Sequence, residues 1–134
     1  VMPHPREDTE KLKKIWNANK KLVTGHVETN ASSAELLPFA KGVIGMSSTF
    51  LYQSWLVNTP VLSIRPNDKY TSGEHIKYRQ GVKSILHPDE ASEKLNKWIL
   101  ELDTIDRNKL YREDLMHHRN SDQRVIDFVQ NLEI

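Results

Sequence analysis

The sequence contains no cysteine, which excludes a disulfide framework, a thiolate metal site and a cysteine nucleophile. It also lacks an excess of charge, since 19 lysines and arginines stand against 18 aspartates and glutamates, so charge does not indicate a nucleic-acid partner. The apolar runs are far shorter than the roughly 20 residues of a membrane-spanning helix. No basic and then apolar leader opens the chain. We therefore expect a cytoplasmic protein with no transmembrane segment and no nucleic-acid partner.

The chain of 134 residues has the length of one globular domain, with 37% hydrophobic and 28% charged residues. A chain of this size buries about two thirds of its unfolded surface and needs no covalent staple. Its opening, Val1 to Pro5, is typical of the end of a strand. We therefore expect the sequence to be a piece of a longer protein.

Short β-branched or apolar runs alternate with amphipathic stretches along the chain. We predict strands at residues 1–2, 22–24, 42–45, 61–64 and 82–86, and helices at 6–19, 34–40, 47–57, 89–102, 107–118 and 121–132. This alternation predicts parallel β-α-β units with right-handed crossovers. The expected fold is α/β, a doubly wound parallel five-stranded sheet of order 2-1-3-4-5. We assign it to residues 1–102, with residues 103–134 as C-terminal helices that pack on it.

Ligands in open α/β sheets bind at the carboxyl ends of the strands where the strand order reverses. In the order 2-1-3-4-5 this rule selects His4 and Arg6 after the first strand, and Ser47, Ser48 and Thr49 after the third. The unpaired N–H groups at the start of a helix attract phosphate, but serine and threonine are also the commonest helix caps. The imidazole of His4 is suited to acid–base chemistry or to donation to a phosphate or a sugar hydroxyl, and a surface histidine is the alternative.

Two further charged residues follow the fourth strand. Arg65 ends that strand and Glu74 lies in the long polar loop at residues 65–81. Either side chain could face the crevice, and an ion pair between the two is the alternative. We expect no metal site, because the chain has no cysteine and no pair of histidines at metal-ligand spacing.

An ordered set of motifs points to a family. It comprises His-Pro at 4–5, Leu-Pro-Phe at 37–39, Gly-Val-Ile-Gly-Met-Ser-Ser-Thr at 42–49 and Thr-Pro-Val-Leu-Ser-Ile-Arg at 59–65. This set resembles the carboxyl-terminal, Rossmann-like half of GT-B-type enzymes. The likeness is greatest to UDP-N-acetylglucosamine 2-epimerases and to sugar-nucleotide glycosyltransferases of surface-polysaccharide synthesis, and it covers roughly residues 1 to 100.

The resemblance implies a role for each matching residue. The His-Pro loop lines the active cleft, which makes His4 the expected catalytic residue. The helix start that holds the nucleotide diphosphate corresponds to Ser47, Ser48 and Thr49. The segment that meets the uracil corresponds to Phe39 and its neighbours.

The resemblance also extends to the ribose and to two charged cleft residues. The glutamate that binds the ribose hydroxyls corresponds to Gln53, the strand-end arginine to Arg65, and a downstream acid to Glu74. This chain departs from the family where Ser48 and Thr49 replace the two glycines of the phosphate loop, and where Gln53 replaces the ribose carboxylate. A neutral amide still bonds a diol, but less strongly than a carboxylate does.

We therefore expect the nucleotide-sugar-binding half of a GT-B-type glycosyltransferase of capsular or surface-polysaccharide biosynthesis. A UDP-N-acetylglucosamine 2-epimerase-like fragment is the first alternative. A noncatalytic α/β interaction or signalling domain is the alternative from another class. The nucleotide-sugar is the expected ligand, with no separate cofactor. The amino-terminal domain of such an enzyme is missing from this sequence, so the chain alone is expected to be inactive.

Overall fold

A computed structural model describes residues 1–4, 7–21, 24–66, 76, 79–107, 113–118 and 120–131. The chain divides into two units, Val1–Phe39 and Ala40–Ile134. The predicted boundary at residue 102 stays a prediction.

The larger unit contains a parallel sheet of three strands among the described residues. These strands are β1 (Val43–Gly45), β2 (Val61–Ile64) and β3 (Lys83–Ile85), in the order β1-β2-β3. Val43 lies beside Val61, and Ile64 lies beside Ile85. The predicted α/β class with a parallel sheet is confirmed.

Helices pack on both faces of this sheet. Val61 of β2 packs with Leu51 and Trp55 of helix α3 (Thr49–Leu56), whereas Leu62 packs with Trp98 of helix α4 (Ala91–Leu102). Because successive residues of a strand point to opposite faces, the two clusters lie on opposite sides of β2. Burial of apolar side chains on both faces stabilises the unit and explains why β2 is apolar on both of them.

The C-terminal helices differ in their packing. Helix α5 (Glu113–His118) contributes Leu115 to the cluster around Trp55. Helix α6 (Ser121–Gln130) has no buried residue, and Val125 and Phe128 are among its exposed apolar side chains. The assignment of residues 103–134 as helices that pack on the sheet domain stays a prediction.

Residues 1–2 do not form a strand, contrary to the prediction. The segment is followed by Pro3, which has no N–H to continue a ladder. The nitrogen of Val1 nevertheless donates to the oxygen of His26 (2.7 Å), and the oxygen of Val1 accepts from the nitrogen of Glu28 (2.8 Å). This is the pattern of a single parallel bridge with residues 26–28. Of the predicted strand at 22–24, Leu22 and Val23 lie outside the described residues. Within the described ranges the sheet has three strands, so a five-stranded sheet is not shown.

The smaller unit contains two helices with side-chain caps. Helix α1 (Thr9–Asn19) begins after Asp8, whose carboxylate accepts from the N–H groups of Glu10 and Lys11. Helix α2 (Ser33–Leu36) begins with a capping box between Ser32 and Glu35 and continues as a 3₁₀ turn, Leu37–Phe39. Both helices begin where a short polar side chain satisfies the first N–H groups.

The remaining helix boundaries follow the same local chemistry. Helix α3 begins at Thr49, two residues later than predicted, because Ser48 is its cap. Helix α4 follows a 3₁₀ turn at Pro88–Glu90 and begins two residues later than predicted. None of the helices in the described ranges is both long and apolar enough to cross a membrane.

Candidate functional site

The carboxyl ends of the three strands lie at one edge of the sheet, since the strands are parallel. β1 leads into Ser47 and the start of α3, β2 leads into Arg65, and β3 leads into His87. This carboxyl edge is where ligands bind in open α/β sheets.

The turn between β1 and α3 is held by two serine hydroxyls. The oxygen of Ser48 accepts from the N–H of Phe50 (3.0 Å) as the cap of α3. The hydroxyl of the fully buried Ser63 on β2 donates to the oxygen of Met46 (2.6 Å). The cap alternative is thus confirmed for Ser48. A second hydrogen bond, from the neighbouring strand, fixes the direction in which the helix starts.

The amino end of α3 keeps polar groups available for a ligand. Within the described part of the chain, neither the N–H of Thr49 nor the hydroxyl of Ser47 makes a hydrogen bond. Ser48 and Thr49 are exposed and Ser47 is half-buried. An N–H at this end of a helix carries partial positive charge and favours an anion.

The small residues Gly45 and Ser48 fit the backbone between β1 and α3. A Cβ atom at Gly45 would lie 3.1 Å from the side chain of Leu51, so the end of β1 packs directly against α3. Ser48 has φ −72° and ψ 145°, an extended conformation that any residue adopts. Serine therefore fits without strain at a position where the resembled family has glycine.

Arg65 places a charged side chain at the same edge. It follows β2 directly, is 4% exposed, and donates its backbone N–H to the oxygen of Ile85 (2.8 Å). Burial of a guanidinium is costly unless the protein satisfies it. The bond to Ile85 therefore fixes the backbone of Arg65 at the carboxyl end of β2.

His87 lies at this edge too and was not predicted as a site residue. It is exposed and precedes the 3₁₀ turn Pro88–Glu90. The carboxylate of Glu90 pairs with Lys94 (2.9 Å) and accepts from the N–H of Leu86 (3.2 Å), and these bonds hold the pKa of Glu90 below its usual range. The signal for His87 in the sequence was its place at the end of a predicted strand.

The other predicted site residues lie on α3, in the smaller unit or outside the described residues. Gln53 is exposed on α3, four residues after Thr49. His4 and Phe39 belong to the smaller unit, where both are exposed and the N–H of His4 donates to the carboxylate of Glu7 (3.2 Å). The placement of His4 and Phe39 beside Ser47 stays a prediction. Arg6 and Glu74 lie outside the described residues.

Arg107 holds the opposite, amino edge of the sheet, and sequence reasoning missed it. Its guanidinium donates to the oxygens of Ala40 (3.1 Å) and Val57 (3.4 Å) and to the hydroxyl of the buried Thr59 (2.6 Å). The side chain of Asn58 donates back to the oxygen of Arg107. Arg107 thus connects the segments that enter β1 and β2, which is a structural role.

An aromatic cluster joins α3 to α5. The rings of Tyr52 and Trp55 are stacked at 5.8 Å, and the guanidinium of Arg79 lies 5.5 and 5.6 Å from their centres. His118 meets both rings edge-on. Among the described residues, no group of three or more histidines and carboxylates could hold a metal ion.

Comparisons with models of protein families, with curated proteins and with solved structures find no match for this chain. The carboxyl edge of the sheet is therefore the feature that indicates a function. That edge combines the amino end of a helix, small hydroxyl side chains and a buried arginine.

Proposed function

We propose that this chain is the nucleotide-sugar-binding half of a GT-B-type glycosyltransferase of surface-polysaccharide biosynthesis. The supporting observation is the β1–α3 turn, which presents the N–H of Thr49 and the hydroxyl of Ser47 at the carboxyl edge of a parallel sheet. In this proposal the turn holds the diphosphate of the sugar nucleotide.

The chemistry of the turn suits a diphosphate. The ligand is multiply charged, and backbone N–H groups at a helix start bind such oxygens without a metal ion. Arg65, on the neighbouring strand, adds a positive charge at the same edge. Because Ser63 and Ser48 already fix the turn by hydrogen bonds, little order has to be created when the ligand binds.

The finer parts of the proposal concern the rest of the ligand and the rest of the protein. Gln53 would bind the ribose hydroxyls, Phe39 would contact the base, and His4 would act as an acid–base group at the reacting end. The proposal also includes the five-stranded sheet of order 2-1-3-4-5, a cytoplasmic location, and a further domain that supplies the remaining catalytic groups. The chain alone would bind weakly and turn nothing over.

Two substitutions on α3 test the proposal by opposite effects. Thr49→Glu adds a negative charge at the first helical position, where it favours the helix but repels a diphosphate. Gln53→Glu adds the same charge one turn later and supplies the stronger acceptor for a diol. Calorimetry with UDP and UDP-N-acetylglucosamine should show lost binding for Thr49→Glu, and equal or tighter binding for Gln53→Glu.

The result against the proposal would be equally clear. No heat from the unsubstituted chain at millimolar ligand, or equal weakening by both substitutions, would exclude a diphosphate site at this turn. If other nucleotide-sugars are also titrated, binding of UDP-N-acetylglucosamine alone among them would favour the epimerase-like alternative.

One observation favours the interaction-domain alternative. The exposed apolar side chains of α6 are adjacent along one helix: Val125, Ile126, Phe128 and Val129. A chain that acts by docking a partner through α6 would lose that partner on Phe128→Glu and keep it on Thr49→Glu. A nucleotide-binding domain should respond in the opposite way.

A further inference from the structure

A groove in the smaller unit is lined by none of the residues of the proposed diphosphate site. Its volume is about 330 Å³, the size of a cavity for one small ligand. One wall comes from α1 and the residue after it, and the other from the loop at residues 25–27. The lining residues are Lys13, Trp16, Asn17, Lys20, Gly25, His26 and Val27.

The helical wall is a single stripe of α1. Residues at spacings of three, four and seven lie on one face of a helix, which brings Lys13, Trp16, Asn17 and Lys20 together. The two lysines are seven residues apart, about 10 Å along the axis, with the indole between them. No residue of α1 is buried, and the ring of Trp16 lines the groove.

The loop wall lies directly against the indole. A Cβ atom at Gly25 would lie 3.2 Å from the Cζ2 atom of Trp16, and Gly25 has φ +153°. The oxygen of His26 accepts from the nitrogen of Val1 (2.7 Å). The carboxylate of Glu28 accepts from the N–H groups of Asn30 and Ala31. These hydrogen bonds hold the loop, so the groove exists before any ligand enters.

The charge of the groove favours an anion. None of its lining residues is acidic within the described part of the chain. The ammonium of Lys13 pairs with Glu10 (2.9 Å), and the ring of His26 pairs with Glu28 (3.1 Å). Lys20 takes part in none of the ion pairs among the described residues, and it lies on the same face of the helix as the indole.

We propose that this groove binds a small phosphorylated ring compound, with the ring against the indole of Trp16 and the phosphate beside Lys20. A flat ring gains contact with an aromatic side chain, and the amide of Asn17 is placed to bond a polar atom of that ring. This proposal does not rest on the proposed function. A nucleotide and a sugar phosphate both have the required chemistry.

The test uses the simplest probe with this chemistry, phenyl phosphate, and follows the three indole N–H signals by NMR. We expect the Trp16 signal, assigned with Trp16→Phe, to shift with a dissociation constant on the order of 1 mM. Phenol and inorganic phosphate alone should bind at least tenfold more weakly. Uridine monophosphate and glucose 1-phosphate then distinguish a nucleotide from a sugar phosphate.

A matched pair of charge removals locates the phosphate. Lys20→Gln should weaken phenyl phosphate binding about fivefold to tenfold, whereas Lys11→Gln, on the opposite face of α1, should change it less than twofold. Equal effects of the two substitutions, or no shift of the Trp16 signal at 10 mM probe, would overturn the proposal. Thr49→Glu should leave this binding unchanged, so failure here and failure of the diphosphate site are distinguishable.

Discussion

The buried hydroxyl of Ser63 donates a hydrogen bond of 2.6 Å to the backbone oxygen of Met46. The two residues are 17 apart in the chain, and the bond joins the central strand to the turn that begins α3. The geometry of the proposed diphosphate site therefore depends on a residue of the neighbouring strand.

Ser63→Ala should test this dependence. The substitution removes the donor and leaves the oxygen of Met46 without this bond, at an expected cost of about 1–2 kcal/mol in the free energy of unfolding. Urea denaturation measures the cost. Ser84→Ala, at the register neighbour on β3, is the control and should cost less. Ser63→Ala should also weaken binding of UDP at the proposed diphosphate site. Unchanged stability would show that the bond contributes nothing to folding.

Arg107→Lys should destabilise the amino edge of the sheet while keeping the charge. The guanidinium bonds three oxygens from two segments, whereas an ammonium lacks the planar fork needed to do so. We expect a loss of about 1–3 kcal/mol, measured by chemical denaturation. Arg124→Lys on the exposed α6 is the matched control. Equal effects of the two changes would contradict the role assigned to Arg107.

Gly42→Ala should destabilise the packing of α4. A Cβ atom there would lie 2.6 Å from Trp98 and 3.1 Å from Leu102, and Trp98 is buried. Overpacking of this kind costs about 1–3 kcal/mol. Trp98→Phe shortens the clashing ring, so the double variant should be more stable than the sum of the two single changes predicts. Simple additivity would mean that the two side chains do not interact.

Glu28 should make the loop of the smaller unit sensitive to acid. The N–H of Asn30, the ring of His26 and the N–H of Ala31, in this order of effect, lower the pKa of Glu28 from 4.5 to about 2. A lowered folded-state pKa contributes stability that is present above pH 4.5 and is lost as the pH falls toward 2.

An NMR titration of the Glu28 carboxyl carbon measures this pKa directly. Glu28→Gln should abolish the loop's acid dependence in this window, with hydrogen exchange at Asn30 and Ala31 as the readout. Glu10, an exposed carboxylate on α1, gives a comparison within the same protein. A midpoint for Glu28 near 4.5 would contradict the hydrogen bonds described for the loop.

Local chemistry made much of the larger unit predictable from the sequence. The apolar run at 61–64 is a buried parallel strand, and the hydroxyl residues at 47–49 mark the start of α3. Each of these features depends on residues close in sequence, through strand burial and capping. In the smaller unit, the starts of α1 and α2 differ from the predicted starts by one to three residues, because Asp8 and Ser32 are the residues that cap them.

Features that depend on distant residues were not predictable in this way. The bridge of Val1 to residues 26–28 was not predicted, because the pairing of strands is a long-range choice that short runs specify weakly. The Ser63–Met46 bond and the contacts of Arg107 likewise join segments that the sequence separates. No periodicity records such pairings.

The sequence by itself determined the α/β class, the parallel arrangement of the described strands and the cap of α3, because these follow from side-chain pattern and from hydrogen bonds between near neighbours. Only the tertiary structure decided that Trp16 lines a groove, that Ser63 orders the turn before α3 and that Arg107 joins two strand entries. These three roles depend on contacts between segments that are distant in the sequence, and such contacts form only in the folded chain.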